Sequence, residues 1–506
     1  MRVTLINPGL KSGEGAHYGA LTFPLVGIAY LATHLRQNGF EIQVIEVSAY
    51  RLSVSDVRSL LVDWKPQLVG VGMKSFNVQE AYDVAQMVRD LSPDVVVVFG
   101  GPHASALVEH TFGECAHVDA IVRGEGEATL LEVCQRLSAG HRDARGRFAD
   151  ILGLSYRADN GQVVHNPNRP LMTDLDQLPF PDYSLYDLRK FGRTYDKFTG
   201  RFESELSIFA SRGCPFCCCF CQPHLGRRWR SRSPDNVVAE VELNMQRFGV
   251  TRVCFNDSTF GLDRRWFHEL CELLRARGLH RRIHWVFETR ADLAAAELLE
   301  DAVSAGAVMA NFGFESGSDV VLKRIGKGIC KQDILSAVSN ARQAGVPAIS
   351  GSFIFGLPFE TRESIRETLE LLPELRLDFF GANIVSIYPG TELWDMVDRG
   401  IGGARWRPGM RMNWSSYDRN RCQIEVNDLT HEEIESAAFK AKDINRRAGL
   451  RSSWVEFARK CNAYLWYLLL HDRKKLAHYF RSGLETVVGR HHAPRAASKP
   501  ECPGSN

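Results

Sequence analysis

The chain has 506 residues, more than one ordinary domain holds, and its 44% hydrophobic and 24% charged side chains give the profile of a globular protein. With 62 basic against 60 acidic residues the net charge is +2, which gives no electrostatic reason to invoke nucleic acid or an anionic membrane. Of the 13 cysteines, five crowd between Cys214 and Cys221, where a disulfide scaffold would spread pairs along a short secreted chain; such clustering points to metal.

Residues 1–140 alternate short apolar runs with helical patterns. Strands are expected at Val3–Asn7, Ile42–Val47, Leu68–Met73, Val95–Gly100 and Ala120–Arg123, with amphipathic stretches such as Leu25–Gln37 and Val78–Leu91 between them. Continuous β-branched strands separated by helices predict an α/β domain, a doubly wound parallel sheet covered on both faces. Such sheets bind ligands beyond the carboxyl ends of their strands, and glycine turns fall there: Gly70–Gly72, Gly100–Gly101 and Gly124–Gly126. Met1 to Pro8 reads as a strand, not a secretory leader. Near the other end Tyr464–Leu470 is too short an apolar run to span a bilayer, so a cytoplasmic protein with reduced cysteines and no membrane span is expected.

Residues 141–205 change character. Leu154–Arg157 and Gln162–His165 flank Asp159-Asn160-Gly161, a hairpin signal, and four prolines follow between Pro167 and Pro181, so a linker carrying a small hairpin is expected. Residues 206–400 return to alternation, with strands expected at Leu206–Ser211, Arg252–Asn256, His284–Glu288, Ala310–Phe314, Ala348–Phe355 and Phe380–Ser386. Six successive β/α units without reversal suggest a barrel or partial barrel, whose site lies at the carboxyl ends of its strands. Residues 401–489 read as mainly helical, with an aromatic stripe at Trp454, Tyr464, Trp466 and Tyr467, and residues 490–506, rich in Ala, Pro and Ser, as a disordered tail. The scattered cysteines Cys134 and Cys271 sit in helical patterns as small core residues.

Directly after the first barrel strand comes Ser211-Arg212-Gly213-Cys214-Pro215-Phe216-Cys217-Cys218-Cys219-Phe220-Cys221. Cys214, Cys218 and Cys221 have the spacing C-x3-C-x2-C, and three thiolates on one short loop can hold three irons of a four-iron cluster, leaving the fourth open. The competing reading is a zinc knuckle on Cys218 and Cys221, but no second C-x2-C pair follows at zinc-finger distance. Cys217 and Cys219 do not fit the full spacing and are read as bystanders. The basic run Arg227-Arg228-Trp229-Arg230-Ser231-Arg232 leads into Ser233-Pro234-Asp235, a cap, first-turn proline and acid that start the next helix. Its arginines are therefore placed on the loop leaving the cysteines, facing an anionic group of a small ligand, not nucleic acid.

The cysteine loop resembles the signature of the radical S-adenosylmethionine (SAM) superfamily, with Phe220 at the aromatic position before the last cysteine. Further stretches are similar to the same family in the right order: Phe255–Phe260, Arg290-Ala291-Asp292, Gly313–Ser318, Gly351–Pro358 and Tyr388-Pro389-Gly390-Thr391. The resemblance implies a [4Fe-4S] cluster on Cys214, Cys218 and Cys221, SAM chelated at the open iron, and a SAM site lined by Phe220, Asn256, Asp257, Ser258, Arg290, Glu315 and Gly356. It also implies an electron donor of flavodoxin or ferredoxin type. Taken singly each stretch is weak: Asp257 and Glu315 can cap helices, and Gly356 can mark a turn.

Gly100-Gly101-Pro102-His103 and Arg123-Gly124-Glu125-Gly126-Glu127 look like the cobalamin-binding domain fused to many radical SAM enzymes. By that resemblance Gly100, Gly101, His103, Gly124 and Glu125 contact cobalamin, and the loop Lys74-Ser75-Phe76-Asn77, with Ser75 and Phe76, meets its lower face. The D-x-H-x-x-G of domains that ligate cobalt through histidine is absent, since His17 between Glu14 and Gly19 has the wrong spacing, so a histidine-free site is implied. No G-x-G-x-x-G follows the first strand, which disfavours a dinucleotide domain. The expected architecture is a doubly wound cobalamin domain, a radical SAM partial (β/α) barrel and a helical C-terminal region. The leading expected activity is C-methylation of an unactivated carbon of a small-molecule substrate. The alternative is a radical oxidative cyclisation or rearrangement, as in the anaerobic cyclase of chlorophyll synthesis. Transfer-RNA methylthiolation fits poorly, because the first domain holds only Cys115 and Cys134, and a non-enzymatic cobalamin or redox sensor is disfavoured by the SAM-like stretches.

Overall fold

The computed structural model describes residues 1–9, 23–141, 143–191, 194–196, 201–222, 224–417 and 421–451. The chain divides into a large unit, Met1–Thr194 with Glu203–Gly449, and a small one, Tyr195–Phe202 with Leu450–Asn506. Of the small unit, parts of the paired strands Thr194–Asp196 and Arg201–Glu203 and the last residues of a helix are described. The aromatic stripe and the tail lie outside the described residues.

The large unit begins with β1 (Arg2–Asn7), α1 (Val26–Gln37), β2 (Glu41–Glu46), α2 (Val54–Trp64), β3 (Leu68–Gly72), α3 (Val78–Leu91), β4 (Val96–Gly100), β5 (Ala120–Val122) and α4 (Glu127–Ser138). β1 to β5 run parallel in the order β2-β1-β3-β4-β5. Alternate residues face opposite cores: Val3, Leu5, Val96 and Val98 pack toward α1 and α4, while Ile6, Val69, Val97 and Phe99 pack toward α2 and α3. The hairpin expected in the linker forms as β6 (Leu154–Arg157) and β7 (Val163–His165), but it is no free-standing ornament. β6 pairs antiparallel with β5 and extends the sheet to seven strands. Backbone hydrogen bonding decides this: β5 would otherwise present an unpaired edge.

The second sheet is six-stranded and wholly parallel, in sequence order: β8 (Glu205–Ile208), β9 (Arg252–Phe255), β10 (His284–Thr289), β11 (Ala307–Glu315), β12 (Ala348–Phe355) and β13 (Phe379–Ile384). Its connections carry α5 (Pro234–Phe248), α6 (Arg264–Ala276), α7 (Ala296–Ser304), α8 (Lys331–Gln343) and α9 (Arg362–Leu375). α5 starts as its sequence dictates, with Ser233 accepting from the Asn236 N–H and Pro234 in the first turn. The outward face is aromatic: Phe287 and Trp285 pack on Phe267 of α6 and on Phe260, and Phe314 packs on Phe353. Each such burial contributes about 1.5–3 kcal/mol.

α10 (Glu392–Asp398) follows β13. The region after residue 400 departs from the helical expectation: Ala404–Trp406 pairs antiparallel with Ile424–Val426 around loops and short turns, and only from His431 does a long helix, α11 (His431–Arg451), run. Glycines at 402, 403 and 409 with positive φ break any helix there. Among the described residues no helix is long and apolar enough to cross a membrane.

Candidate active site

The cysteine loop leaves β8 through a short strand, Ser211–Arg212, that pairs with Arg230–Ser231. Its backbone is held at Cys219, whose N–H donates to Ile325 (2.9 Å) and whose carbonyl accepts from Leu393 (2.8 Å). Cys214, Cys218 and Cys221 are electrostatically in reach of one another. Burial pushes the Cys218 thiol up, partly countered by Lys327 and Arg290 and then raised further by Glu315 and Cys214. Cys221 is exposed at its loop surface, yet the protein crowded around it and then Cys218 and Cys214 push its thiol up to about 11. Thiols raised in this way hold their protons, so a cluster iron would have to displace them on binding Cys218 and Cys221. Among the described residues no three His, Cys, Asp or Glu side chains converge as on a single ion. A four-iron cluster asks for something wider, one thiolate per iron, from three sulfurs carried on one loop. Cys217 points outward toward the Pro215 carbonyl, and Cys219 is buried toward Glu392 with its thiol pushed up to about 12, burial first.

Asp257, an expected SAM contact, is bonded to the cysteine loop. It is 4% exposed, accepts from the Ser211 hydroxyl (2.5 Å) and the Ala210 N–H (3.2 Å), and burial pushes its carboxyl up to about 7. These bonds latch the start of the cysteine loop. Arg290 is likewise occupied: it pairs with Asp292, donates to the Lys327 carbonyl and lies 3.7 Å over the Phe216 ring, clamping the cysteine loop from above. Phe220 packs against the core. Gly356 donates to Glu360, and a Cβ there would press on Ile434 of α11 and Val385 at 3.1 Å, so this glycine serves the helix packed on it. Asn256 and Ser258 are exposed at the strand ends.

Glu315 ends β11 with φ +66° at a register shift, and its carboxylate meets Lys327 at 2.9 Å, both side chains buried. Burial works against the Lys327 charge, but Glu315 and Cys218 outweigh it and hold the amine protonated. Three residues here escaped sequence reading. Lys327 carried no motif, since only β11's end and the loop after it bring it beside Cys218. Glu288 stands on the inner face of β10, opposite Phe287; its surface is open to the barrel interior, yet the protein crowded around it and then Glu315 raise its carboxyl. Thr259, whose hydroxyl lies 3.4 Å from the Cys214 sulfur, escaped too.

At the carboxyl ends of β3, β4 and β5 the loop 74–77, the turn 100–103 and the turn 123–126 stand side by side. Ser75 Oγ bonds His103 Nδ1 at 2.9 Å. His103 is fully buried, its ring edge-on to Trp414 at 4.5 Å; burial pushes it down to about 3 and keeps it neutral, and its Nε2 has no protein partner among the described residues. Gly101 is required by packing: at φ +109° a Cβ would stand 2.7 Å from the Met73 carbonyl. Gly100 ends β4, its carbonyl accepting from the Met73 N–H at 2.7 Å, and a Cβ there would meet Val122 at 3.8 Å. Phe76 carries the Lys74 amine over its ring at 5.6 Å, and Gly124 has open space where a Cβ would be. Loop 74–77 and the open turn at Gly124, beyond the strand ends of a parallel sheet, fit a large planar ligand held without histidine. His17 lies outside the described residues.

Glu125, an expected cobalamin contact, has its carboxylate engaged by the protein. Its carboxylate accepts from Arg212 (3.2 Å), Arg230 (2.9 Å) and the Met172 N–H (2.8 Å), while Arg212 also pairs with Glu127 at 2.6 Å. All four charged side chains are at most 8% exposed. Burial alone would raise Glu127, but the Arg212 guanidinium outweighs it and holds the carboxyl below its usual range. The basic run is thus spent on structure: Arg230 joins this clamp, Arg232 pairs with buried Glu240, and Arg227 donates to the Phe216 carbonyl. The clamp ties the turn after β5 to the strand that leads into Cys214.

Residues 208–372 match the radical SAM superfamily and residues 18–134 the B12 binding domain. An uncharacterised methyltransferase of Pyrococcus horikoshii is 33% identical over 443 residues, 87% of this chain and 91% of that protein. The chain belongs to the cobalamin-binding radical SAM enzymes. An anaerobic magnesium-protoporphyrin IX monomethyl ester cyclase of Rubrivivax gelatinosus is 30% identical over 402 residues, 78% of this chain and 69% of that one. In fold the chain is similar to the radical SAM methyltransferase TsrM of Kitasatospora setae, solved with cobalamin and a [4Fe-4S] cluster, at a TM-score of 0.64, 22% identity and 81% coverage of each chain. As a member of this family the protein is an enzyme that uses a [4Fe-4S] cluster, SAM and cobalamin, and it acts on a small molecule.

Proposed function

We propose that the protein is a radical C-methyltransferase acting on an unactivated carbon of a small cofactor, lipid or secondary metabolite. The observation that carries this reading is the direct bonding of the cysteine loop to the turns of the first sheet, through Arg212 and Glu125 and through Gln222, whose amide reaches the Pro102 carbonyl at 3.1 Å. This bonding supports a shared space for the two cofactors, and a methyltransferase relative matches 87% of this chain. When bound, the cluster and SAM supply hydrogen abstraction and cobalamin supplies a methyl group.

The chain's own residues do the rest. Cys214, Cys218 and Cys221 hold the cluster, and Asp257 and Arg290 hold the loop that carries them. Glu315 with Lys327, and Glu288 beneath them on the inner face, line the SAM side, where carboxylates suit an ammonium or hydroxyls and the lysine suits a carboxylate. Loop 74–77 and the turn at Gly124 take cobalamin. Apolar walls of Phe and Trp behind the strands keep the geometry rigid, which is where alignment of three reacting centres gains its rate. Electrons come from a flavodoxin- or ferredoxin-type donor, and the reaction takes place in the cytoplasm.

The test is product mass spectrometry with deuterated-methyl SAM and candidate substrates under reducing, anaerobic conditions. The expected result is a labelled methyl in product and two SAM consumed per turnover, one to 5′-deoxyadenosine and one to S-adenosylhomocysteine. The cyclase relative motivates the second reading, oxidative cyclisation. 5′-deoxyadenosine without homocysteine product and without label in the substrate moves the assignment there.

A further inference from the structure

Gln222 is the residue after the last cluster cysteine, and it is half-buried. Its side-chain amide has two hydrogens, and both are used. One goes to the Pro102 carbonyl in the Gly-Gly-Pro-His turn of the first sheet at 3.1 Å, the other to the Pro389 carbonyl in the Tyr-Pro-Gly-Thr turn of the barrel at 2.8 Å. These acceptors lie 120 and 167 residues away in the chain, on turns that end two different sheets. The barrel turn also lies against the end of the short helix Pro102–Ala106 that leaves the first turn: a Cβ on Gly390 would stand 3.0 Å from the Ala106 Cβ and 3.8 Å from the Gln222 amide nitrogen. The cysteine loop is thereby anchored at three points near the cluster, by Ile325 and Leu393 on its backbone and by Gln222 toward the cobalamin side.

Neither carbonyl has any use for a ligand's charge. An amide is the one side chain of this length that offers two donors and no net charge; a glutamate would set a carboxylate against two carbonyl oxygens, and an asparagine is a methylene short of spanning both. We propose that Gln222 is a positioning residue that sets the spacing between the cluster and the corrinoid, so that events at the two cofactors stay coupled. The role needs both cofactors but not the methyl-transfer assignment, and it stands if the product proves to be a cyclised one.

The experiment uses the full-length protein reconstituted with cluster and cobalamin, comparing wild type with Q222A, Q222E and Q222N. Iron, sulfide and cobalamin content are measured first. Paramagnetic resonance of the state holding a reduced cluster and cob(II)alamin then reads the spin–spin interaction, which depends steeply on their separation and not on turnover. Unchanged cofactor content with an altered or lost interaction in Q222A and Q222E, and a smaller change in Q222N, is the expected result. With SAM alone as the probe, the ratio of 5′-deoxyadenosine to S-adenosylhomocysteine shifts about tenfold in Q222A and Q222E, the scale of a sub-ångström misplacement. Wild-type spin–spin interaction in fully loaded Q222A and Q222E overturns the proposal. Loss of either cofactor in both variants overturns it as well, because Gln222 would then hold a cofactor or the fold and not the spacing.

Discussion

The two parallel sheets are built from the same alternation of strand and helix, and they spend their faces differently. In the first sheet the central strands are buried on both sides: β3 and β4 offer Leu68, Val69, Val71 and Val96 to Phe99 to two separate cores. No room is left within the sheet, so a ligand is confined to the carboxyl ends of the strands. In the second sheet the outer face carries the aromatic core, and the inner face is mostly polar. Phe287, Phe312 and Phe353 are buried, while their neighbours Glu288, Asn311 and Ser352 look into the barrel and retain exposure. A sheet flanked on both faces makes a platform; a sheet curled with one polar face makes a container. The cysteine loop stands where the rim of the container meets the platform, and its partners come from both.

The sharpest break in that picture comes at the cysteines. Ala at Cys214, Cys218 or Cys221 should abolish the iron–sulfur absorbance and SAM cleavage completely, whereas Ala at Cys217 or Cys219 should leave both. Loss of the cluster on changing Cys219 alone would place the container's rim wrongly.

Next in size is the clamp between platform and container. Arg212→Met leaves Glu127 and Glu125 short of a buried cation and should cost about 3–5 kcal/mol in chemical unfolding, while the double change with Glu127→Gln should recover a good part of it. Additive losses would show that the pair is not coupled.

Within the container, Lys327→Met strands the Glu315 carboxylate. SAM affinity measured by equilibrium binding should fall about tenfold, equivalent to about 1.4 kcal/mol. A larger loss in Lys327→Met than in a Glu315→Gln variant would assign the lysine the greater share of SAM recognition.

The smallest effect is in pH. Burial pushes Glu360, which is 1% exposed, up to about 8, against the hydrogen bonds it accepts from Gly356 and Leu357. Its folded pKa lies above the unfolded value, so the folded state binds the proton more tightly. Its contribution is fully present below the unfolded carboxyl range and is lost as pH rises toward 8. Thermal unfolding should show stability falling between pH 5 and 8 by roughly 1 kcal/mol or more, and Glu360→Gln should flatten that slope.

The alternation of apolar runs and helical stretches was enough to place both sheets to within a residue or two at most strand ends, because a parallel strand buried on two faces and an amphipathic helix each leave a local periodicity. The cysteine triple was legible for a similar reason: one loop must present all three thiolates, so their spacing is local. What only the tertiary structure decided is non-local. The hairpin at 154–165 reads as a linker until β5's open edge claims it. Asp257, Arg290 and Glu125 look like ligand contacts in sequence, and the structure gives each a protein partner within hydrogen-bond reach. Lys327, Glu288 and Gln222 carry no motif, since a residue's chemistry here is set by which strand end or turn faces it. The local pattern fixes what each segment becomes, while buried charges and amides find partners only when segments far apart in the chain are brought together, and in this protein those partners hold the platform to the container.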